Sequence, residues 1–297
     1  MQKAPPTPKG FRDIAPDLAK KRRQVISQIV KVLEDFGFEP IETPTLEFAQ
    51  TLKGKYGEEE RLIYEFQDRG GRDLALRYDL TVPLARYIAT YNPQLPFRRY
   101  QIGQVFRGEN PQRGRWREAT QFDFDTVGSS DLEEDAEIIS TAIKAIKTVG
   151  VQEPVMIIND RKNFEGLSKA VIIAIDKLDK IGQEGVIGEL TNQGLTKEKA
   201  ITILQSMRNK KPTEDLEKIF EILKDLGIAS NEFQFAPTLA RGLDYYTGTI
   251  FEIRTPSYGN LSLGGGGRYD NLIGVFAKKS IPAVGFSFGL DRLIDSL

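Results

Sequence analysis

The chain has 297 residues, with 41 basic against 42 acidic side chains and a net charge of -1, so it carries no global nucleic-acid footprint and would need local basic patches to hold such a partner. It contains no Cys and no His, which excludes disulfides, thiolate nucleophiles, Cys/His zinc sites and both Ser-His-Asp and Cys-His catalysis. Any chemistry must run on Arg, Lys, carboxylates, Tyr, backbone amides or a hard cation such as Mg²⁺. The opening MQKAPPTPKG lacks the apolar stretch of a secretory signal. No apolar run reaches the roughly 18 residues of a membrane span, so the cytoplasm is the expected compartment.

Residues 17–36 have the spacing of an amphipathic helix. Val25, Ile26, Ile29, Val30, Leu33 and Phe36 form its stripe, Asp17 its predicted cap and Gly37 its stop. FEPIETPTLE then reads as extended, and Pro40 and Pro44 confine it to a sheet edge or a bulge. Strands are predicted at 74–78, 99–107 and 119–127. A second helix is predicted at 131–148, with Asp131 and Glu134 as a capping-box-like start and Gly150 as its stop, followed by a buried strand at 154–160. Residues 165–230 are almost wholly helical in pattern, with basic residues gathered at Arg208, Lys210 and Lys211. Strand signals return at 249–253, 261–263 and 283–288. Helices and strands do not alternate regularly, which predicts an α+β fold with a mixed, mainly antiparallel sheet flanked by helices. The helical block reads as an insertion, dividing the chain into a first core part (1–163), a helical insertion (164–231) and a second core part (232–297).

Four stretches carry candidate chemistry. In FRGENPQRGRWREATQFDFD, Arg107, Arg113, Arg115 and Arg117 fall within eleven residues around an Asn-Pro…Gly turn, which suggests a hairpin with a basic tip. A solvated charged loop is the plain reading. The sharper one is a phosphate clamp, because guanidinium is planar, permanently charged and forked. In LARGLDYYTGTIFE, Arg241 and Gly242 are followed by Asp244, Tyr245 and Tyr246. Adjacent tyrosines usually divide between core and surface; the alternative is a polar pocket whose hydroxyls orient a small substrate. The glycines 264–267 of SLGGGGRYDNL read as a tight loop and fit neither a P-loop nor a dinucleotide fingerprint. PAVGFSFGLDRLIDSL reads as strand, glycine turn and helix, with Arg292 one turn into the helix, a place where arginine is usually solvent-exposed.

Taken together, in this order and over essentially the whole chain, these stretches resemble the signature motifs of class II aminoacyl-tRNA synthetases, specifically the histidyl-tRNA synthetase family. The helix plus IETP, with Pro44, resembles motif 1, the dimer-forming element; FRGENPQRGRWREATQFDFD resembles motif 2 and GFSFGLDR motif 3. LARGLDYYTGTIFE resembles a histidine-specific motif, and LALRYDLTVPLARY matches the family in an Asp-Leu-Thr form. The resemblance implies the class II synthetase-like fold, a homodimer, and activation of L-histidine with ATP and Mg²⁺ to histidyl-adenylate for transfer to the acceptor stem of tRNA(His). It implies that Arg107 holds the ATP α-phosphate and the substrate carboxylate, that Glu109 meets the adenine end, and that Arg115 and Arg292 hold the outer phosphates. Asp79 and Thr81 would receive the α-amino group, while Gln121, Asp125, Tyr245 and Tyr246 line the amino-acid pocket. Arg241 would stand at the α-phosphate beside the attacking carboxylate.

The chemistry is consistent with the composition. An α-carboxyl with a pKa of about 3.5 is already ionised at neutral pH, so adenylation needs no general base. What remains is alignment and charge neutralisation at phosphorus, for which arginines and Mg²⁺ suffice without a protein metal site. Family members continue past motif 3 into an anticodon-binding domain, whereas this chain ends at Leu297. The expectation is therefore a fragment or a short relative that charges minihelices and full-length tRNA with comparable, low efficiency. Two alternatives compete: the non-catalytic, histidine-binding regulatory subunit of ATP phosphoribosyltransferase, and a pseudo-synthetase that senses uncharged tRNA. Both are expected to lose the ATP-handling arginines, and Arg107, Arg115, Arg241 and Arg292 are all present.

Overall fold

Val25, Ile29 and Leu33 repeat at helical spacing and are buried along α1 (Pro16–Asp35). Asp17 does not cap this helix. Ala15 is the N-cap, without a side-chain hydrogen bond, and Pro16 starts the first turn with its fixed φ, leaving Asp17 to favour the positive helix end. The computed structural model describes residues 5–241, 245–259 and 261–297, the side chain of Glu58 excepted.

The chain continues through β1 (Glu39–Pro40), β2 (Leu46–Phe48), α2 (Ala49–Leu52), β3 (Glu65–Gln67), β4 (Asp73–Leu76), α3 (Thr81–Tyr91), β5 (Phe97–Phe106) and β6 (Glu118–Val127). After α4 (Leu132–Thr148) and β7 (Val155–Asp160) come four helices: α5 (Lys169–Asp176), α6 (Leu178–Asn192), α7 (Lys197–Arg208) and α8 (Glu214–Asp225). The chain then returns to strands with β8 (Phe233–Phe235), β9 (Thr249–Arg254), β10 (Gly264–Arg268) and β11 (Ala283–Gly289), and closes with α9 (Leu290–Ser296).

Eight strands form the main sheet in the order β1-β5-β6-β11-β10-β9-β7-β8. Only its outer pairs, β1 with β5 and β7 with β8, are parallel; the interior is antiparallel, as the irregular element order predicts. Pro40 lies in β1 at the sheet edge, where a missing N–H is tolerated. A separate antiparallel sheet, β2-β4-β3, stands beside it.

The two sheet faces differ in chemistry because side chains alternate along a strand. Phe122 and Phe124 on β6 join Phe286 and Phe288 on β11 and Phe251 on β9 in one apolar core with α1, α4, α8 and α9. The intervening residues Gln121, Asp123 and Asp125 face the opposite side and line a cavity. The predicted helical block contains two groups. Leu216, Ile219 and Leu223 of α8 belong to the sheet core, whereas α5, α6 and α7 pack in a second cluster with Tyr246 and Tyr269.

Three further expectations are corrected. Asp131 is the N-cap of α4 but its side chain makes no cap bond, so the capping box with Glu134 does not form. The four glycines are not a tight loop, and 261–263 is not a strand; the glycines themselves form β10 in the middle of the sheet. A β-carbon on Gly266 would stand 1.9 Å from the Gly285 carbonyl oxygen, so the close approach of β11 requires glycine there. Strand periodicity is read from side chains, and this strand has almost none. Arg268 at its end anchors β10 to α4, donating from Nε to Asp135 (3.0 Å), from Nη1 to the Ser129 carbonyl (3.0 Å) and from Nη2 to the Asp131 carbonyl (3.2 Å).

Candidate active site

Motif 2 is a hairpin. β5 and β6 pair in register from Phe97↔Val127 to Phe106↔Glu118, and the Arg107 N–H closes the loop by donating to the Arg117 carbonyl at 2.9 Å. The four arginines at its tip have different duties. Arg113 stacks over the Tyr258 ring (4.9 Å), and Arg117 donates from Nε to the Glu109 carbonyl (3.0 Å). Arg107 and Arg115 line the cavity. A strap from the N-terminal segment holds the loop from outside. The Gly10 carbonyl accepts from Arg117 N–H at 2.9 Å, and Arg12 lies 4.4 Å over Trp116. Arg12 also pairs with Asp291, which accepts from Arg22 as well (2.6 Å).

Every residue to which the resemblance gives a substrate role lines one cavity of about 900 Å³: Asp79, Thr81, Arg107, Glu109, Arg115, Gln121, Asp125, Arg241, Tyr245, Tyr246 and Arg292; Arg113 and Arg117 of the expected clamp do not. Gly242 to Asp244, within the same motif, lie outside the described residues. Arg107 donates from Nε to the Tyr78 carbonyl (3.0 Å) and from Nη2 to Gln121 Oε1 (2.9 Å), with its plane 4.7 Å from the Tyr78 ring centre. Arg292 is partly buried, contrary to expectation, and donates to the Ser262 carbonyl at 2.9 Å. Among the described residues neither Arg107 nor Arg292 has a carboxylate within ion-pair distance. Burial, and then the neighbouring charge of Arg115, lower the pKa of Arg292. Two guanidinium groups without an ion-pair partner, lining one cavity with Arg115, suit a polyanion.

The other end of the cavity is acidic and hydroxylic. Asp79 accepts from Tyr56 Oη (2.8 Å), Val82 N–H (3.0 Å) and Tyr245 Oη (3.4 Å), and its burial pushes its pKa up. Asp125 accepts from Tyr269 Oη and lies 2.7 Å from Arg99, whose side chain is fully buried. Burial raises its pKa against the opposing pull of Arg99. Asp123 stands two residues before it on the same face. Burial pushes it up to about 7, Arg99 opposing and Asp125 adding to the rise, and its Oδ1 has no partner. Gln121 links the two ends, accepting from Arg107 and donating to Ser287 Oγ at 2.7 Å. Three buried carboxylates at one end and unpaired guanidiniums at the other favour a ligand with a cationic end and an anionic one.

Several of these groups were not singled out from the sequence: Tyr56, Arg99, Asp123, Glu252, Tyr269 and Ser287. Strand alternation places Asp123 with Gln121 and Asp125, so that one was findable. Arg99 lies opposite Asp125 and Ser287 opposite Asp123 only once the register is known. Among the described residues no group of three or more acidic side chains is arranged to hold a metal ion. The nearest acids are already engaged, Glu109 by Arg115 (3.0 Å) and Glu252 by Arg241 (3.3 Å). With those carboxylates held by arginines, a hard cation would be carried mainly by the phosphates of a bound nucleotide.

The histidyl-tRNA synthetase family model matches residues 10–186 and 185–293. The histidine–tRNA ligase of Aeropyrum pernix is 44% identical over 98% of this chain and 74% of that protein, and that of Nanoarchaeum equitans is 44% identical over 97% and 73%. The crystal structure of histidyl-tRNA synthetase from Nostoc sp. PCC 7120 superposes with a TM-score of 0.82 at 31% identity, covering 98% of this chain and 74% of that one. A Bacillus halodurans structure described as an ATP phosphoribosyltransferase regulatory subunit/histidyl-tRNA synthetase superposes with a TM-score of 0.80 at 25% identity, covering 100% and 84%. The expected α+β, class II synthetase-like fold is the one found. With residues of motif 2, motif 3 and the histidine-specific motif around one cavity and the family model spanning nearly its whole length, the chain belongs to the histidyl-tRNA synthetase family.

Proposed function

We propose that the chain is an ATP-dependent histidine–tRNA ligase core that converts L-histidine and ATP to histidyl-adenylate and transfers the histidyl group to the 3′ end of tRNA(His). The observation that carries this reading is the bipolar cavity, with unpaired arginines at one end and buried carboxylates and hydroxyls at the other. Arg115 and Arg292 take the outer phosphates of ATP, Glu109 the adenine end, and Arg107 the α-phosphate together with the histidine carboxylate. Asp79 and Thr81 receive the α-ammonium. Asp125, Gln121, Tyr245 and Tyr246 face the imidazole, whose ring N–H groups need acceptors.

In the first step a histidine carboxylate oxygen attacks the α-phosphorus, a phosphorus–oxygen bond forms, and the bond to the departing pyrophosphate breaks. No proton moves at the nucleophile. Arg107 and Arg241 hold the reactants in line and stabilise charge at phosphorus. Mg²⁺ enters as the counterion of the nucleotide phosphates.

The same reading takes residues 1–163 and 232–297 as one catalytic core and 164–231 as an insertion. It places the acceptor stem near the motif 2 tip, makes the chain a homodimer through its motif 1 region, and assigns it to the cytoplasm. No helix among the described residues is long and apolar enough to cross a membrane. A regulatory subunit that only bound histidine would have no use for Arg107, Arg115 and Arg292 set around the anionic end. Histidine-dependent exchange of labelled pyrophosphate into ATP is the test; a folded sample with Mg²⁺ that exchanged no faster than without histidine would reject the ligase.

A further inference from the structure

Arg241 occupies space that only a glycine strand leaves. A β-carbon on Gly265 would stand 2.3 Å from Arg241 Nη1, and Gly265 lies opposite Glu252 in the β10–β9 register. Glu252 holds Arg241 with one carboxylate oxygen, Oε2 to Nη1 at 3.3 Å. Its other oxygen, Oε1, accepts from Arg254 Nε at 2.5 Å. Arg254, two residues further along β9 and therefore on the same face, reaches with Nη2 to Asp179 Oδ2 at 2.8 Å. Asp179 sits in the first turn of α6, outside the catalytic sheet, on a segment that also lines the cavity with Asp176 and Lys180. Three ion pairs thus run in series from the helical segment to Arg241.

We propose that Asp179 and Arg254 are positioning residues for adenylation, which set the carboxylate of Glu252 and through it the guanidinium of Arg241. The inference rests on the ligase reading. Arg254 divides its donors between two carboxylates. If Asp179 is removed, the whole fork of Arg254 turns to Glu252 and competes with Arg241 for the same oxygens. The 3.3 Å contact is the longer of the two and gives way first. Arg241 then loses its fixed direction, which costs rate at the α-phosphorus and not histidine affinity, because Asp79, Thr81 and Asp125 hold the amino acid from other elements.

The test is steady-state pyrophosphate exchange by the full chain and by Asp179→Asn, Arg254→Met and the double variant, with thermal midpoints recorded for all. Displacing a catalytic group by a fraction of an ångström should lower kcat by about tenfold in Asp179→Asn while histidine KM stays within about twofold. The double variant should be no slower than Arg254→Met alone, since both changes break one chain of contacts. Wild-type kcat in Asp179→Asn, a loss confined to KM, or losses that multiply in the double variant would overturn the proposal while leaving the ligase standing. Absence of exchange by the wild type would overturn the ligase reading, and this inference with it.

Discussion

Gly285 lies directly opposite Asp125 across the β11–β6 pair, and a β-carbon on it would stand 1.8 Å from the Asp125 carboxylate. The carboxylate therefore occupies the volume that the glycine leaves, between Arg99 below and Tyr269 beside it. Gly285→Ala should push Asp125 off the position from which it is proposed to face the imidazole. Losing one bond to a charged group costs about 1.5–3 kcal/mol, so histidine KM should rise by about ten- to a hundredfold with ATP KM little changed. Equal rises in both would show that the glycine supports the sheet and not the pocket.

Arg241→Ala should lower the adenylation rate by about 10²–10³-fold, the scale for one preorganised donor at a developing charge. Histidine affinity, measured by calorimetry, should change less. Near-full activity would remove Arg241 from the chemistry.

Asp123 makes stability depend on pH. Its pKa is raised by burial to about 7 in the folded chain, above the usual aspartate range, so between those limits the folded state binds more protons than the unfolded one. Stability contributed by the protonated form is present at low pH and is lost as pH rises toward 7. In the ligand-free protein, Asp123→Asn should flatten this fall. Urea midpoints at about pH 5 and about pH 8 measure it, and an undiminished slope in the variant would assign the effect elsewhere.

The Arg268–Asp135 pair is buried, with side-chain exposures of 8% and 0%, and joins β10 to α4. Arg268→Met strands a buried carboxylate and should cost about 3–5 kcal/mol, whereas pairing it with Asp135→Leu should recover much of the loss. Chemical denaturation of the two variants decides this; a double variant as unstable as the single one would mean that packing, not charge, is lost.

Phe48 on β2, Leu74 on β4 and Phe66 on β3 lie in one row across the small sheet, and Phe48 and Phe66 are 50% and 45% exposed. Motif 1 leads into this apolar surface, which is where the proposed homodimer would close. Sedimentation should show twice the chain mass at micromolar concentration, and Phe48→Asp with Phe66→Asp should yield monomer. A wild-type monomer would reject the dimer.

Much of the layout was legible because spacing survives without contacts. The stripe on α1, the motif 2 hairpin and the strand of Ile157 and Ile158 follow from period and turn chemistry. What stayed hidden depends on register and long-range pairing. The role of Arg99 is visible only with Asp125 opposite it, and the ladder to Asp179 joins residues from separate blocks. The glycine strand was misread because absence of side chains resembles a loop, although here it makes room for Arg241. Arg292 stands at a helix position where arginine is usually exposed, and its contact with Ser262 is again visible only in the fold.

The chain has one tryptophan, and the fold sets it in the motif 2 loop under Arg12, at the rim of the cavity. Emission excited beyond the tyrosine band therefore originates in a single place. On the proposed reading, nucleotide docking on Arg115 and Arg292, or release of the N-terminal strap, would change the surroundings of that indole, while movements in the distant helices would leave its emission unchanged. The protein thus carries its own optical reporter, with which a stopped-flow instrument could follow ATP binding before any chemistry occurs.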